Sequence, residues 1–507
     1  MPTTAELIRR GAAQHATRTA VRWGDGTLSY REVFSTACRI GNALQDAGVG
    51  RGAHVALLVG NGPHSVSTDF GMVLSGLVRV PLNARLSLDE HVHMLQQSRT
   101  TLLLHDAALA ARARELVQRM PGLRCFGLGV ESATGGADVL THGDDRDRRL
   151  EADAADPLLL LFTSGTTGKL KAVIHTQGNY AAIAANMLAN LVDARPGSTM
   201  LHAASLIHAS GTFVLPYWVR GGCAAVLAGF DPAEFAAAIA RWRITEINLV
   251  PTMIGMLLGS GALDGADLSS LRQVIYGASP MPRPVLAKAI ERFGPILWQY
   301  YGQTEAPLCM TVLNADDHAD PGLWGACGQP AIDADIRLVD EDGKVTAAEG
   351  IGEIQVRAPF AMAGYYDADE LNAEMRAEGG WLRTRDVARR DARGYLHLID
   401  RTSDMIITGG YNVYPREVED VILEHPAVAE CAVVGAPDAK WVEAVTAFVK
   451  LEPGQALTEA EVIALVRSKL AQHKAPKAVY FVADIPKSAV GKILRRALRD
   501  QLRQGAK

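Results

Sequence analysis

The sequence predicts an α/β fold built from more than one domain. Its 507 residues exceed the usual size of a single domain, and 48% hydrophobic with 21% charged residues is a globular composition. Residues 54–59 and 101–104 read as strands, and residues 63–77 read as a helix between them. Strands that alternate with helices favour layered sheets with parallel strand pairs.

Helix starts are marked by capping boxes. Ser29 and Glu32 have the spacing at which an N-cap hydroxyl and a carboxylate three residues later exchange hydrogen bonds with the backbone. We expect this helix to end near Gly48, because glycine is favoured just beyond a helix. The same spacing recurs at residues 87–90 and 458–461, which predicts two further helices.

Composition limits the partners and the location. The net charge of −5 gives no basic footprint for nucleic acid. No apolar run is long enough to span a membrane, and the first residues lack the apolar region of a signal peptide. The six cysteines are widely spaced without a CxxC pair, which argues against a zinc site and suits a reducing compartment. We therefore expect a cytoplasmic protein with small-molecule partners.

A polar loop follows the apolar, strand-like run at residues 158–162. It consists of Thr163, Ser164, Gly165, Thr166, Thr167 and Gly168, and is followed by Lys169 and Lys171. Glycines allow a tight turn, and its amides and hydroxyls form a concavity that suits an anion. A nearby lysine adds positive charge, so phosphate is the expected ligand. Two residues separate Gly165 from Gly168, whereas a Walker A loop has four residues between its glycines. This segment is therefore not a Walker A loop. An ordinary polar connection is the alternative.

The loop resembles the phosphate loop, roughly TSGTTG-x-PK-G, of the acyl-adenylate-forming enzymes. This superfamily includes acyl- and aryl-CoA ligases, firefly-type luciferases and peptide-synthetase adenylation domains. Three more motifs follow in the family's order: QYYGQTE at 299–305 resembles N-x-YGxTE, WLRTRD at 381–386 resembles W-x-xTGD, and residues 486–496 resemble the terminal lysine motif. The resemblance extends from about Ala5 to the end and is greatest for the acyl- and aryl-CoA ligases.

The resemblance implies a site for ATP and AMP. Glu305 offers Mg²⁺ an oxygen ligand, Tyr301 a flat face for a base, and Thr304 a hydroxyl for a phosphate oxygen. Asp386 and Arg401 match the residues that meet the ribose. The remaining implied nucleotide-binding residues are Thr163 to Gly168, Lys171, Gly277, Ala278, Ser279, Gln299, Tyr300, Gly302 and Gln303. Arg385 and Gln299 depart from the family, which usually has glycine and asparagine there.

Catalysis is assigned by resemblance to Lys492, His208 and Glu305. Lys492 matches the lysine that catalyses adenylation, and a basic surface helix is the alternative reading of its surroundings. His208 matches a histidine that lines the acyl tunnel, although a lone histidine among apolar residues is more often a core residue. Asp404 matches the hinge about which a small domain turns.

The residues implied in CoA binding are Arg85, Gly409, Gly410, Trp441, His473, Lys474 and Lys477. For Arg85 the alternative is a surface arginine, and for the last three a solvated basic edge. Val442 stands where the family often has glycine. The implied acyl pocket contains small or apolar residues, without an obvious buried arginine: His208, Ala209, Thr212, Tyr276, Ala278, Gly302 and Leu308.

We therefore expect a large N-terminal α/β domain with layered sheets at 1–403, which binds ATP and the acyl group. A small mobile α+β domain at 404–507 would carry the catalytic lysine. The expected function is an AMP-forming acyl-CoA synthetase, which uses ATP, Mg²⁺ and coenzyme A to convert a hydrophobic aryl or medium-chain monocarboxylic acid to its acyl-CoA through an acyl-AMP. Three alternatives stay open: transfer to a carrier protein, a luciferase-like oxidation, and a non-catalytic nucleotide-binding pseudoenzyme. A homodimer is left open as the assembly.

Overall fold

The computed structural model describes residues 2–133, 136–164, 170–207, 209–401, 404–409, 411–438, 440–487 and 493–505, with Ser164, Arg401 and residues 503–505 described by their backbone alone. The chain divides into two compact units. Unit 1 comprises Met1–Pro280, Val285–Ile336 and Val356–Leu382, and unit 2 comprises Met281–Pro284, Arg337–Gln355 and Arg383–Lys507. The boundary expected between residues 403 and 404 stays a prediction.

The α-helices of the described residues are α1 (Thr4–His15), α2 (Tyr30–Asp46), α3 (Ser65–Leu74), α4 (Leu88–Gln97), α5 (Ala110–Arg119), α6 (Val139–His142), α7 (Gln177–Asn190), α8 (Ala209–Thr212), α9 (Val214–Arg220), α10 (Pro232–Trp242), α11 (Pro251–Gly259), α12 (Arg283–Phe293), α13 (Asp369–Met375), α14 (Pro415–Ile422), α15 (Glu459–Lys469) and α16 (Arg495–Gly505). None of these described helices is both long enough and apolar enough to cross a membrane.

The strands are β1 (Thr19–Trp23), β2 (Gly26–Ser29), β3 (His54–Leu58), β4 (Val78–Pro81), β5 (Leu102–His105), β6 (Arg124–Gly127), β7 (Pro157–Ser164), β8 (Leu170–Thr176), β9 (Thr199–His202), β10 (Cys223–Val226), β11 (Glu246–Leu249), β12 (Gln273–Gly277), β13 (Leu297–Tyr301), β14 (Thr311–Leu313), β15 (Gln329–Pro330), β16 (Asp335–Val339), β17 (Ile351–Arg357), β18 (Gly364–Tyr365), β19 (Arg376–Ala377), β20 (Trp381–Arg390), β21 (Leu396–Arg401), β22 (Ile406–Thr408), β23 (Tyr411–Val413), β24 (Val428–Asp438), β25 (Val442–Leu451) and β26 (Ala478–Phe481).

Two large sheets form unit 1. One has the order β15-β14-β13-β12-β11-β9-β10-β1-β2, and the other has the order β18-β8-β7-β4-β3-β5-β6. The predicted strands at 54–59 and 101–104 are β3 and β5, which pair in parallel. Because the central pairs of both sheets are parallel and helices connect them, the expected α/β class is confirmed.

The predicted capping boxes are present. Ser29 and Glu32 exchange the expected hydrogen bonds at the start of α2, and equivalent pairs begin α4 and α15. The helix predicted over 63–77 is shorter, because α3 ends at Leu74 and Gly76 takes a left-handed φ of 66°. In that conformation Gly76 and Leu77 donate back to the last turn of the helix, and this terminates it.

A small α+β arrangement occupies the later part of unit 2. Its sheet has the order β23-β22-β25-β24, with β26 beside β25. Residues of α14 and α15, including Val418 and Val462, pack with Val433 and Val449 of the sheet in one hydrophobic core. A further five-stranded sheet has the order β16-β17-β20-β19, with β21 on β20.

Candidate active site

The predicted phosphate loop connects two paired strands of unit 1. β7 and β8 are antiparallel, and Thr163 stands opposite Lys171 at the end of the pair. β4 continues the sheet on the other side of β7. Gly165, Thr166, Thr167 and Gly168 lie outside the described residues. The backbone therefore places Thr163 and Lys171 as cross-strand neighbours, one on each side of the loop.

Glu305 is held by a tyrosine that the sequence reasoning did not identify. The Tyr365 hydroxyl donates to Glu305 Oε1 at 2.5 Å, and the Met362 N–H donates to the Glu305 carbonyl at 2.8 Å. Tyr365 lies on β18, which pairs with β8, and its ring centroid is 5.9 Å from Lys171 Nζ. The structure thus brings Glu305 together with a cation from beside the predicted phosphate loop.

Glu305 suits a magnesium ion that is shared with a substrate. Within the described ranges, no group of three or more His, Cys, Asp or Glu residues could hold a metal ion. Magnesium is usually bound by one or two carboxylates together with substrate phosphates. A single carboxylate near a phosphate loop fits that mode of binding.

His175 fixes the Glu305 segment to β8. Its Nε2 lies 2.9 Å from the carbonyl oxygen of Thr304, so Nε2–H is the donor. Burial lowers the pKa of this imidazole to about 4, against smaller opposing contributions from that hydrogen bond. A neutral, buried histidine therefore connects the strand after the phosphate loop to the predicted nucleotide motif. Sequence reasoning missed this role of His175, although the residue lies in β8, the strand that follows the predicted phosphate loop.

Close backbone approach explains two glycines of the predicted nucleotide and acyl sites. A Cβ on Gly277 would lie 2.6 Å from the Tyr300 carbonyl oxygen, and one on Gly302 would lie 2.5 Å from the backbone of Leu308. Ala278 and Leu308 both adopt a left-handed backbone, with φ values of 70° and 61°. Gly277 ends β12 beside β13, where parallel strands reach the carboxyl edge of the sheet. This is where open α/β sheets bind ligands.

The aromatic residues of this region are buried. Tyr276 is fully buried, and its hydroxyl is hydrogen-bonded to Gln299 Oε1 at 3.1 Å and to His318 Nε2 at 2.9 Å. Tyr300 and Tyr301 are also buried, and burial raises the pKa of Tyr300 to about 12. Ala209 and Thr212 lie on α8, while His208 lies outside the described residues.

The two predicted ribose residues are register partners in unit 2. Asp386 on β20 stands opposite Arg401 on β21. Asp386 is buried, and its N–H donates to Thr384 Oγ1 at 3.1 Å. Arg385, between Thr384 and Asp386 in sequence, has a φ of 59°, and its N–H donates to Glu353 Oε1 at 3.0 Å. The arginine therefore keeps the left-handed conformation for which glycine, the usual family residue, is favoured.

The predicted hinge residue is in an ion-pair network within unit 2. Asp404 Oδ1 lies 3.2 Å from Arg499 Nη2, and its other oxygen lies 3.9 Å from Arg495. Arg495 also pairs with Glu419 at 2.8 Å. The basic helix α16 is thus attached to Asp404 through its arginines.

Several predicted CoA residues meet around Gly409. A Cβ on Gly409 would lie 2.9 Å from the Trp441 ring, and the Gly409 N–H donates to the Trp441 carbonyl at 2.8 Å. Lys477 Nζ lies 5.4 Å from the centroid of that ring. Val442, next along the chain, is exposed and has a φ of 69°. Gly410 lies outside the described residues.

The other predicted CoA residues have their own partners. His473 stacks on Tyr411 with ring centroids 4.5 Å apart, and Lys474 pairs with Glu417 at 2.5 Å. The Arg85 N–H donates to Asn83 Oδ1 at 3.0 Å. These contacts join residues of the protein to each other. The assignment of these residues to CoA stays a prediction.

Lys492 lies outside the described residues. Lys487 and Ile493, on either side of the gap, form an antiparallel bridge. Lys487 Nζ also pairs with Glu430 at 2.6 Å.

Comparison with known proteins identifies the family. A model of the AMP-binding enzymes matches residues 8–366, and a model of the AMP-binding enzyme C-terminal domain matches residues 417–492. The chain belongs to the AMP-binding enzyme family. Its predicted membership of the acyl-adenylate-forming enzymes is confirmed.

The relatives are carboxylate ligases. A medium/long-chain-fatty-acid–CoA ligase of Mycobacterium tuberculosis is 37% identical, over 99% of this chain and 90% of that protein. A feruloyl-CoA synthase of an Amycolatopsis species is 36% identical, over 97% of both chains. Among solved structures, the amide bond synthetase McbA from Marinactinospora thermotolerans superposes with a TM-score of 0.90 at 31% identity, over 98% of this chain and 99% of that one.

These findings confirm the expected class, an ATP-dependent acid–thiol ligase, at the level of the family. CoA ligases of this family use ATP, Mg²⁺ and CoA, which are the cofactors that the sequence predicted.

Proposed function

We propose that this enzyme adenylates a hydrophobic monocarboxylic acid, aryl or medium-chain, and transfers the acyl group to CoA. The observation that supports this most strongly is the meeting of Glu305, Tyr365 and Lys171 beside the predicted phosphate loop. The relatives named for ferulate and for medium- and long-chain fatty acids support the range of acids.

In the first half-reaction, a carboxylate attacks the α-phosphate of ATP and pyrophosphate leaves. The segment from Thr163 to Gly168, with Lys171, holds the departing phosphates, and Asp386 with Arg401 holds the ribose. Lys492 meets both the carboxylate and the α-phosphate. Negative charge grows on the phosphate oxygens, and these fixed cations and amides stabilise it. Magnesium bound at Glu305 would neutralise further phosphate charge.

In the second half-reaction, the domain after Asp404 turns so that Lys492 leaves the acyl-AMP and the Gly409–Gly410 segment arrives. Bare glycine backbone leaves room for the pantetheine arm, and the Trp441 ring lies against Gly409. Arg85, His473, Lys474 and Lys477 provide the cationic or hydrogen-bonding side chains for the CoA phosphates. The thiol then displaces AMP and forms the thioester.

Two other acceptors of the acyl group compete with CoA in this proposal. The structure of an amide bond synthetase superposes over nearly the whole chain, so an amine acceptor is the second candidate. A carrier-protein thiol is the third. All three share the first half-reaction and differ only in what attacks the acyl-AMP.

The test is a product assay with purified enzyme, ATP and Mg²⁺. Benzoates, cinnamates and C4–C12 acids are each supplied with CoA, a simple amine or a carrier protein, and products are identified by mass spectrometry. We expect AMP and an acyl-CoA from aryl or medium-chain acids. Amide as the main product, or activity with dicarboxylic or amino acids alone, would contradict the proposal.

We further propose a cytoplasmic location, which the state of the cysteines supports. All six are buried and none is in a disulfide. Assembly as a homodimer stays a prediction, which the mass of the protein in solution tests.

A further inference from the structure

A small cavity in unit 1 shares one residue, Thr212, with the predicted acyl pocket. It measures about 50 Å³ and lies between strands β3, β4 and β7 on one side and helices α3 and α7 on the other. Leu206, Ile207, Gly211 and Thr212 form part of its wall, and Thr212 also belongs to the predicted acyl pocket. Leucines, valines and Pro81 make up half of the remaining wall, and polar side chains stand among them, so the cavity suits a distal part of an acyl group that carries a polar atom.

One of the polar residues in this wall is an arginine. Arg79 lies on β4 between Val78 and Val80, which pack in a core on the opposite face of the sheet. Its side chain is 3% exposed, and it is among the residues that line the cavity. Burying a charged side chain is unfavourable unless it is paired, so its contacts decide what it can do.

Two of the three guanidinium nitrogens of Arg79 are occupied. Nε donates to the Leu158 carbonyl at 3.1 Å, and Nη1 pairs with the carboxylate of Asp69. The guanidinium carbon also lies 5.1 Å from the centroid of the Tyr180 ring. Burial would lower the pKa of Arg79, but Asp69 and Tyr180 outweigh it and raise the pKa, so the arginine stays charged. The pair with Asp69 is close to neutral as a whole.

The third nitrogen, Nη2, is buried and makes no well-aligned hydrogen bond with the described residues, although the Tyr180 hydroxyl interacts with the same guanidinium. Asn61, Ser65 and Thr68 of the wall use their polar groups internally. Asn61, for example, donates to the carbonyls of Ala204 and Leu227 and accepts from Leu206. A buried donor without a partner is rare in folded proteins and indicates a missing acceptor.

We propose that Arg79, held by Asp69, is a specificity-determining residue that donates from Nη2 to an uncharged oxygen at the far end of the acyl substrate. This rests on the proposed function and narrows its substrate class to monocarboxylic acids with a distal hydroxyl, ether or carbonyl oxygen. A second carboxylate is disfavoured, because Asp69 already balances the charge of Arg79. An ion pair with a purely structural role is the competing explanation.

The test compares matched acids on the wild-type enzyme. Acid-dependent exchange of pyrophosphate into ATP is measured with cinnamate against 4-hydroxy- and 4-methoxycinnamate, and with octanoate against 8-hydroxyoctanoate. We expect at least one oxygen-bearing acid to have a kcat/KM about tenfold or more above its apolar match, with the difference in KM. Equal or better use of every apolar acid overturns the inference. If no acid supports exchange, the proposed function itself fails.

Variants then separate recognition from support of the fold. Arg79→Met should abolish the preference, so that kcat/KM for each oxygen-bearing acid becomes equal to that for its apolar match. Arg272→Met is the matched control, because Arg272 pairs with the buried Glu246 at 2.6 Å in the same unit. It should lower the melting temperature and leave the ratio between matched acids unchanged. If Arg79→Met does not fold, Arg79→Lys keeps the charge beside Asp69 and should still reduce the ratio. An unchanged ratio in either folded Arg79 variant overturns the inference.

Discussion

The hydroxyl of Tyr365 donates to Glu305 Oε1 at 2.5 Å, although sixty residues separate the two in sequence. The contact leaves the other carboxylate oxygen available and restricts the rotation of the side chain. Pairing of β18 with β8 positions Tyr365, and β8 begins directly after the predicted phosphate loop. Tyr365 is therefore a positioning residue for the predicted magnesium ligand.

Replacement of Tyr365 with phenylalanine should weaken the use of magnesium. A hydrogen bond to a charged group contributes about 1.5–3 kcal/mol, which corresponds to roughly a 10- to 100-fold effect. We expect kcat/KM for ATP to fall by about that factor, with a higher Mg²⁺ concentration needed for half-maximal rate. The measurement is pyrophosphate exchange across a magnesium titration.

The neighbouring Tyr366 supplies the control. Its ring contacts His54 at a centroid distance of 5.3 Å and packs against the core cluster that contains Val78 and Val80. Tyr366→Phe should leave the magnesium titration unchanged. If Tyr365→Phe shows the same titration as the wild type, Tyr365 does not position the ligand.

Acid should destabilise unit 1 through His175. Burial lowers its pKa to about 4, below the ordinary value of 6.5, so the unfolded chain binds the proton more readily. The stabilisation is fully present above pH 6.5 and is lost as the pH falls towards 4, by about 1.4 kcal/mol for each pH unit. Stability should therefore decline over this window. Denaturant unfolding at successive pH values measures it.

His175→Gln removes this titration and keeps a side chain that can donate to Thr304. Its stability should depend less steeply on pH between 6.5 and 4 than that of the wild type. Some slope remains, because burial also lowers the pKa of His202 to about 4. The exposed His93 is the control, and His93→Gln should follow the wild type. An identical slope in all three proteins would refute the role of His175.

Strain at Val442 should be relieved by glycine. A β-branched residue with a φ of 69° is an outlier, and a left-handed backbone costs about 1–2 kcal/mol for residues other than glycine. Because glycine also loses more entropy on folding, by about 0.5–1 kcal/mol, we expect a net stabilisation of about 1 kcal/mol. Val442→Ala keeps the Cβ and should gain less. A glycine variant less stable than the wild type would contradict this.

The sequence predicts well what depends on local pattern. The capping boxes at Ser29 and Ser87 specify helix starts by spacing alone, and the structure has both. The departures at Arg385 and Val442 were visible in the sequence as replacements of family glycines. The sequence did not show that both residues keep a left-handed backbone, because it specifies the side chain at each position and not the backbone angles.

The residues that sequence reasoning missed act through strand pairing. Tyr365 reaches Glu305 only because β18 lies beside β8, and no local periodicity encodes that neighbour. Arg79 was overlooked when an acyl pocket without a buried arginine was expected. Its signal was a single charge within the apolar run of β4, which is buried at every position. Where the guanidinium points depends on the packing of α3 and α7.

The catalytic lysine gives a prediction that is independent of substrate identity. Lys492→Ala removes the cation expected at the reacting carboxylate and α-phosphate, and removal of one such group lowers rates by about 10²–10³-fold. ATP binding should persist, because the phosphate loop and ribose residues are unchanged. Lys487→Ala is the matched control, since Lys487 precedes the same segment and pairs with Glu430.

The most direct test of the account is acid-dependent exchange of labelled pyrophosphate into ATP by wild-type, Lys487→Ala and Lys492→Ala enzymes. We predict rapid exchange with an aryl or medium-chain acid for the first two, and exchange at least about 100-fold slower for Lys492→Ala with its ATP affinity retained. Exchange by Lys492→Ala at the wild-type rate would contradict the assigned chemistry, and so would a wild-type enzyme that binds ATP but exchanges pyrophosphate with none of the acids.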